Sequence, residues 1–180
     1  MELTGRVVAF LGANRKALRF LILFGLIFGV SYFLFGISPG VRSGVIKPYT
    51  ELLARAVASV LRLFGESGAS TIGTIVHTER FSLNIAMGCD GIEADALFLA
   101  GVLAFPTSWR AKLIGLAFGL PLIQLINLGR LVGLYYAGVL LPSVVEEVHV
   151  YVAQTIIILL STALLVFWLE RFAVRQHRPA

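Results

Sequence analysis

The chain has 180 residues, 58% of them hydrophobic and only 14% charged, and its mean hydropathy is +0.89. That composition cannot supply a water-facing surface, so it excludes an ordinary soluble domain and makes lipid the main solvent. The net charge of +5 does not point to nucleic acid, because the Lys and Arg residues lie beside apolar spans rather than on one face interleaved with exposed aromatics.

A short basic segment with Arg6, Arg15 and Lys16 leads into an apolar run over 17–37 containing Phe20, Phe24, Phe28 and Phe33. A bilayer core needs about 20 apolar residues per helix, so this run is the first expected transmembrane helix. No convincing small-residue cleavage site follows Ile37, which makes it a retained anchor rather than a secretory signal. Ser38-Pro39-Gly40 breaks the helix. Over 45–64, Leu52, Leu53, Val57, Val60, Leu61 and Phe64 recur at helical spacing with Arg55 and Arg62 among them. That pattern predicts an amphipathic helix at the membrane interface.

From Ser70 to Met87 the period changes to two, with Phe81, Leu83 and Ile85 alternating against Ser82, Asn84 and Ala86. A small β-hairpin turning near His77 to Arg80 is expected. Cys89-Asp90-Gly91 then opens a second apolar helix over 91–105, stopped by Pro106 and short for a full crossing. Asp90 with Glu93 reads as a capping box at its start. A third span is predicted over 113–135, flanked by Trp109, Arg110 and Lys112, and a fourth over 149–169, followed by Arg171, Arg175 and Arg178.

The expected fold is therefore an all-α integral membrane protein in one domain, with about four transmembrane helices, an interfacial helix and a small hairpin. Placing the basic N-terminus, the Arg110/Lys112 turn and the terminal arginines on one side satisfies the positive-inside rule. Both termini are then cytoplasmic, and the 38–90 segment and the 136–148 loop face outward.

Cys89 is the sole cysteine, so no internal disulfide forms, and zinc spacings are absent. The third span holds Gln124, Asn127 and Arg130 at steps of three, on one face. An arginine inside a span is costly unless it is paired, snorkelling or facing a wet cavity. The topology brings Cys89, Arg130 and His149 to one outer level. A thiol, a guanidinium and an imidazole are the parts needed for acyl transfer through a thioester. Plainer readings stand beside this one: a buried small cysteine, a snorkelling arginine and an interfacial histidine. Arg130 and the helix N-terminus lower a thiol pKa while Asp90, Glu93 and Asp95 raise it, so the sequence leaves the net direction open. His77 falls in the hairpin turn, His177 in the C-terminal tail, and Arg110 reads as a topology determinant. No GxxxxGK, HExxH or GxSxG motif is present.

At Met87-Gly88-Cys89-Asp90-Gly91-Ile92, at Asn127-Leu128-Gly129-Arg130-Leu131 and at His149 the chain resembles the exosortase and archaeosortase family of membrane cysteine transpeptidases. The resemblance runs from about Phe81 to the end, and Cys-Asp-Gly-Ile-Glu-Ala is similar to the exosortase H subgroup. It implies a bacterial inner-membrane enzyme that cuts proteins carrying a C-terminal sorting tail, made of a short motif, one transmembrane helix and a basic cluster. Cys89 is then the nucleophile, with Arg130 and His149 as its catalytic partners. Asn127 and Gln124 are expected to hold Arg130, and Asp90, where many relatives have serine, to adjoin the nucleophile. No metal or organic cofactor is expected. Two rival readings remain open from the residues alone: a small transporter or channel subunit using the polar stripe, and a non-catalytic assembly factor whose stripe joins helices.

Overall fold

The computed structural model describes residues 14–173; Arg6, Arg175, His177 and Arg178 lie outside them. Among the described residues three helices are long and apolar enough to cross a membrane: α1 (Arg15–Ile37), α4 (Trp109–Leu140) and α5 (Val145–Phe172). Each runs past the apolar stretch that announced it. Arg15, Lys16, Arg110 and Lys112 all continue helical hydrogen bonding beyond the hydrophobic limit, as good helix formers do. Only 6% of the α1 apolar window is buried within the protein, and Leu21, Ile22, Leu26 and Val30 present bare apolar surface, as a lipid-facing helix must.

The remaining expected span is different. It forms α3 (Ile92–Ala104), 13 residues or about 20 Å long, short of a hydrocarbon core of about 30 Å. Seven of those residues are buried, and α3 packs against α1, α4 and α5. A helix apolar all round belongs in a core, and here the three long helices provide it.

Between α1 and α3 the chain passes through wide helical turns over 39–46 into α2 (Lys47–Leu63). Thr50, Leu53, Ala54, Val57, Ala58 and Leu61 form its buried face. The amphipathic pattern is thus real, and its apolar side is covered by protein, chiefly α4 and the sheet.

The sheet has three antiparallel strands in the order β1 (Ser70–Ile72), β2 (Ile75–His77), β3 (Ser82–Asn84). The β2–β3 pair, with His77 opposite Ser82, is the expected hairpin with its turn over 78–81; β1 is an addition. Leu83 and Ile85 are buried while Ser82 and Asn84 are exposed, so the period of two marks a real inside and outside. The hairpin is tied to α4 where the Thr78 and Tyr135 hydroxyls meet at 2.7 Å.

The two ends of the bundle differ. At one end Phe105 packs edge-on against both Phe20 and Trp168, and Trp168 Nε1 donates to the Ala111 carbonyl at 2.9 Å. That end gathers the start of α1, the start of α4 and the end of α5, hence Arg15, Lys16, Arg110, Lys112 and Arg171. The sheet, α2, and the N-terminus of α3 occupy the other end.

Candidate active site

Cys89 lies in the turn between β3 and α3, and its side chain is buried at 1% exposure. His149 sits in the first turns of α5, inside a wide-turn segment, Val148–Ala153, a distortion that recurs at functional sites. The two meet directly, with Cys89 Sγ 2.5 Å from His149 Nε2. Sixty residues separate them in sequence. The fold alone makes them neighbours.

The turn that carries Cys89 is clamped through three consecutive carbonyls. Arg130 donates from Nη1 and Nη2 to the Gly88 oxygen at 3.5 and 3.4 Å. Asn127 Nδ2 donates to the Cys89 oxygen at 3.1 Å, and Tyr49 Oη to the Asp90 oxygen at 3.1 Å. The donors come from α4 and α2, so the carbonyls on either side of Cys89 are held by helices, the arrangement that gives a site its precision. Gly91, at φ +78°, closes the turn, and a Cβ there would stand 2.9 Å from both Asn127 Nδ2 and Gln124 Nε2.

Arg130 is the hub. Its Nη1 donates to Asn127 Oδ1 at 3.1 Å and its Nη2 to Gln154 Oε1 at 3.0 Å. Gln154 in turn donates to Glu93 Oε2 at 3.1 Å. A half-buried guanidinium inside an apolar helix is tolerable only with such partners.

Burial pushes the Cys89 thiol above its ordinary pKa, because the thiolate is the form that loses most by leaving water. Arg130 opposes this by charge and by hydrogen bonding, while Asp90 adds to the rise. The direction left open by the sequence is therefore upward. Asp90 is itself raised, first by burial and further by Glu93, against the lowering effect of the Ile92 N–H. Burial, with Asp95 and Asp90 nearby, also raises the Tyr49 phenol, which keeps it a donor.

Of the residues singled out by sequence, Cys89, Arg130, His149 and Asn127 form one contiguous cluster, and Asp90 adjoins it. Two details are corrected. Gln124 does not touch Arg130; its Nε2 donates to Asp95 Oδ2 at 2.6 Å and its Oε1 accepts from Tyr49 at 2.5 Å. Asp90 and Glu93 form no capping box, since Gly91 occupies the cap position. Asp90 Oδ1 instead accepts from the Ile92 N–H at 3.2 Å, a local turn, and Glu93 faces Gln154. His77 lies apart in the sheet, paired with Ser82. Gln154 and Tyr49 were missed, and Asp95, expected only to raise the Cys89 thiol, also accepts from Gln124. Gln154 is a polar group inside an apolar stretch, a signal of function available without a structure, whereas nothing local marks Tyr49. Among the described residues no three His, Cys, Asp or Glu side chains gather as metal ligands.

These features define a helical membrane protein with a thiol–imidazole pair and a fixed guanidinium at one end of its bundle. The family model described as Transmembrane exosortase (Exosortase_EpsH) matches residues 3–169. The chain therefore belongs to the transmembrane exosortase family, whose members are generally membrane cysteine peptidases or transpeptidases. Neither a curated protein nor a solved structure matches it.

Proposed function

We propose that this chain is a membrane-embedded cysteine peptidase or transpeptidase that cleaves proteins bearing a C-terminal sorting tail at the outer face of the bacterial inner membrane. The observation that carries the reading is the Cys89–His149 contact beside the Arg130 hub. His149 Nε2 takes the thiol proton as Sγ attacks the scissile carbonyl, and Arg130 stabilises the oxyanion. As the C–N bond breaks, the protonated imidazole gives its proton to the departing amine, leaving a thioester on Cys89. An acceptor deprotonated by His149, whether water, an amine, a glycan or a lipid, then attacks the same carbon and frees the thiol.

The raised thiol fits this scheme, because a neutral Cys89 with an adjacent base is deprotonated as it reacts rather than beforehand. The gathering of Arg15, Lys16, Arg110, Lys112 and Arg171 at the opposite end supports cytoplasmic termini under the positive-inside rule. Lipid is the first partner and a membrane-tethered substrate the second, its helix against the bundle and its basic cluster at the cytoplasmic face. The anion-path reading has less support: the Gln124 and Asn127 amides of the stripe are spent on protein partners. The test is co-expression with a tailed substrate. Cys89→Ala, inserted at the wild-type level, is expected to abolish processing, and full processing by that variant overturns the proposal.

A further inference from the structure

Tyr49 Oη stands 2.5 Å from Gln124 Oε1 and 3.1 Å from the Asp90 carbonyl oxygen. Both neighbours are acceptors, and a phenol has one hydrogen to give. At any moment, therefore, Tyr49 donates to one of them and leaves the other without its hydrogen.

The choice depends on the Gln124 amide, whose other end lies 2.6 Å from Asp95 Oδ2. An ionised Asp95 can only accept, so it draws the amide nitrogen to itself and leaves the amide oxygen facing Tyr49. Tyr49 then donates to Gln124, and the Asp90 carbonyl goes without. A protonated Asp95 donates to the amide oxygen instead. The amide turns over, its nitrogen donates to Tyr49 Oη, and the phenol hydrogen passes to the Asp90 carbonyl. The two arrangements differ by one solvent proton on Asp95, and in the second all three contacts carry a hydrogen.

Asp95 is placed for such a change. Its Oδ1 is buried with no hydrogen-bond partner, and the ion pair found among the described residues joins Arg80 to Glu66, so no salt bridge holds an Asp95 charge. An apolar cleft of about 290 Å³ lies beside it, walled by Phe35, Ile46, Leu99 and Leu120, and such surroundings make a charge costly. α1 and α4 face it with Phe35, Leu120 and the neutral Gln124. Asp90 and Tyr49 are the titratable groups that act on it, while Glu93 turns away to Gln154.

We infer that Asp95 is a positioning residue for the nucleophile, its proton deciding through Gln124 whether Tyr49 holds the Asp90 carbonyl and with it the turn that carries Cys89. The inference rests on the proposed peptidase activity and adds a pH-dependent support to it. Protonated Asp95 gives the held turn. As pH rises through the Asp95 titration, the phenol hydrogen moves to Gln124 and the turn loses one of its clamps.

The experiment records infrared spectra of the full chain in proteoliposomes across pH. Asp95→Asn identifies the Asp95 carboxyl band and Tyr49→Phe the Tyr49 C–O band. The Tyr49 band is expected to shift in step with the carboxyl, to be indifferent to pH in Asp95→Asn, and to stay still in Gln124→Leu although the carboxyl there still titrates. A carboxyl that does not titrate, a Tyr49 band that ignores it, or an equal shift in Gln124→Leu, as a charge acting through space would give, overturns the inference.

Processing of a tailed substrate reads the consequence. The wild-type rate divided by the Asp95→Asn rate at each pH cancels the titration of Cys89 and His149. That ratio is expected to fall about two- to tenfold as Asp95 ionises, the worth of one hydrogen bond, and the Gln124→Leu ratio to stay flat. A flat wild-type ratio contradicts the positioning role. Cleavage that persists in Cys89→Ala defeats the peptidase reading and leaves the infrared result standing, whereas uncoupled bands in a protein whose cleavage needs Cys89 defeat only the role of Asp95.

Discussion

Asn127 Nδ2 donates to the carbonyl oxygen of Cys89 at 3.1 Å, from a side chain with no exposed surface. The same amide accepts from Arg130, so one residue holds both the Cys89 backbone and the cation beside it. Asn127→Ala strands a buried carbonyl and a guanidinium N–H, a loss of about 1–3 kcal/mol. We expect a lower thermal midpoint in detergent together with loss of substrate processing. An unchanged midpoint and rate would mean that the turn is held by Arg130 and Tyr49 alone.

Gln154 joins Arg130 to Glu93. A hydrogen bond to a charged group is worth about 1.5–3 kcal/mol, so Gln154→Leu should slow processing about 10- to 150-fold with insertion intact. Single-turnover rates measure this. A Gln154→Leu enzyme at wild-type rate removes Gln154 from the positioning of Arg130.

Gly88 and Gly91 both have positive φ, +89° and +78°, yet their surroundings differ. A Cβ at Gly88 meets open space, while one at Gly91 meets the amides of Asn127 and Gln124 at 2.9 Å. Gly88→Ala therefore carries only the left-handed backbone cost of about 1–2 kcal/mol. Gly91→Ala adds displacement of Asn127 and should lose far more activity. Parallel processing assays of the two variants check the order, and a reversed order contradicts the clamp.

Because burial raises the Cys89 thiol, its thiolate fraction at neutral pH is below that of an ordinary cysteine and grows as pH rises. Alkylation by a small membrane-impermeant reagent should accelerate with pH, with a midpoint above that of a free thiol. Asp90 contributes to the rise, so Asp90→Asn should move the midpoint downward and speed alkylation at neutral pH. A midpoint unchanged in Asp90→Asn, or already below the ordinary thiol range in the wild type, would contradict the electrostatics described.

Much of this site was legible because membrane topology is itself a geometric constraint. Once spans and orientation are assigned, Cys89, Arg130 and His149 fall at one level, and the contact between Cys89 and His149 adds the distance. Finer assignments failed where they rested on a face rather than a reach. Gln124 shares a stripe with Arg130, but six residues along a helix is about 9 Å, too far for a glutamine, so it bonds Asp95 on the neighbouring α3 instead. The capping box failed because Gly91 turns the chain left-handed before the helix begins, a backbone choice that Asp-Gly permits but does not announce. Composition does not separate two readings of the 91–105 stretch, since a short helix wrapped by longer ones is as apolar as a crossing. Tyr49 had no local signal, since its two bonds depend on how α2 meets α4 and the Cys89 turn.

The proposed role of Cys89 as acyl carrier is tested most directly by the covalent state of the protein during turnover. Purified protein, incubated with a tailed substrate and quenched in acid, is examined by intact mass and peptide mapping. A hydroxylamine-sensitive adduct on Cys89 with the mass of the substrate fragment N-terminal to the cut is expected, absent from Cys89→Ala. Complete processing by Cys89→Ala, or a thioester-free adduct on another residue, would contradict it.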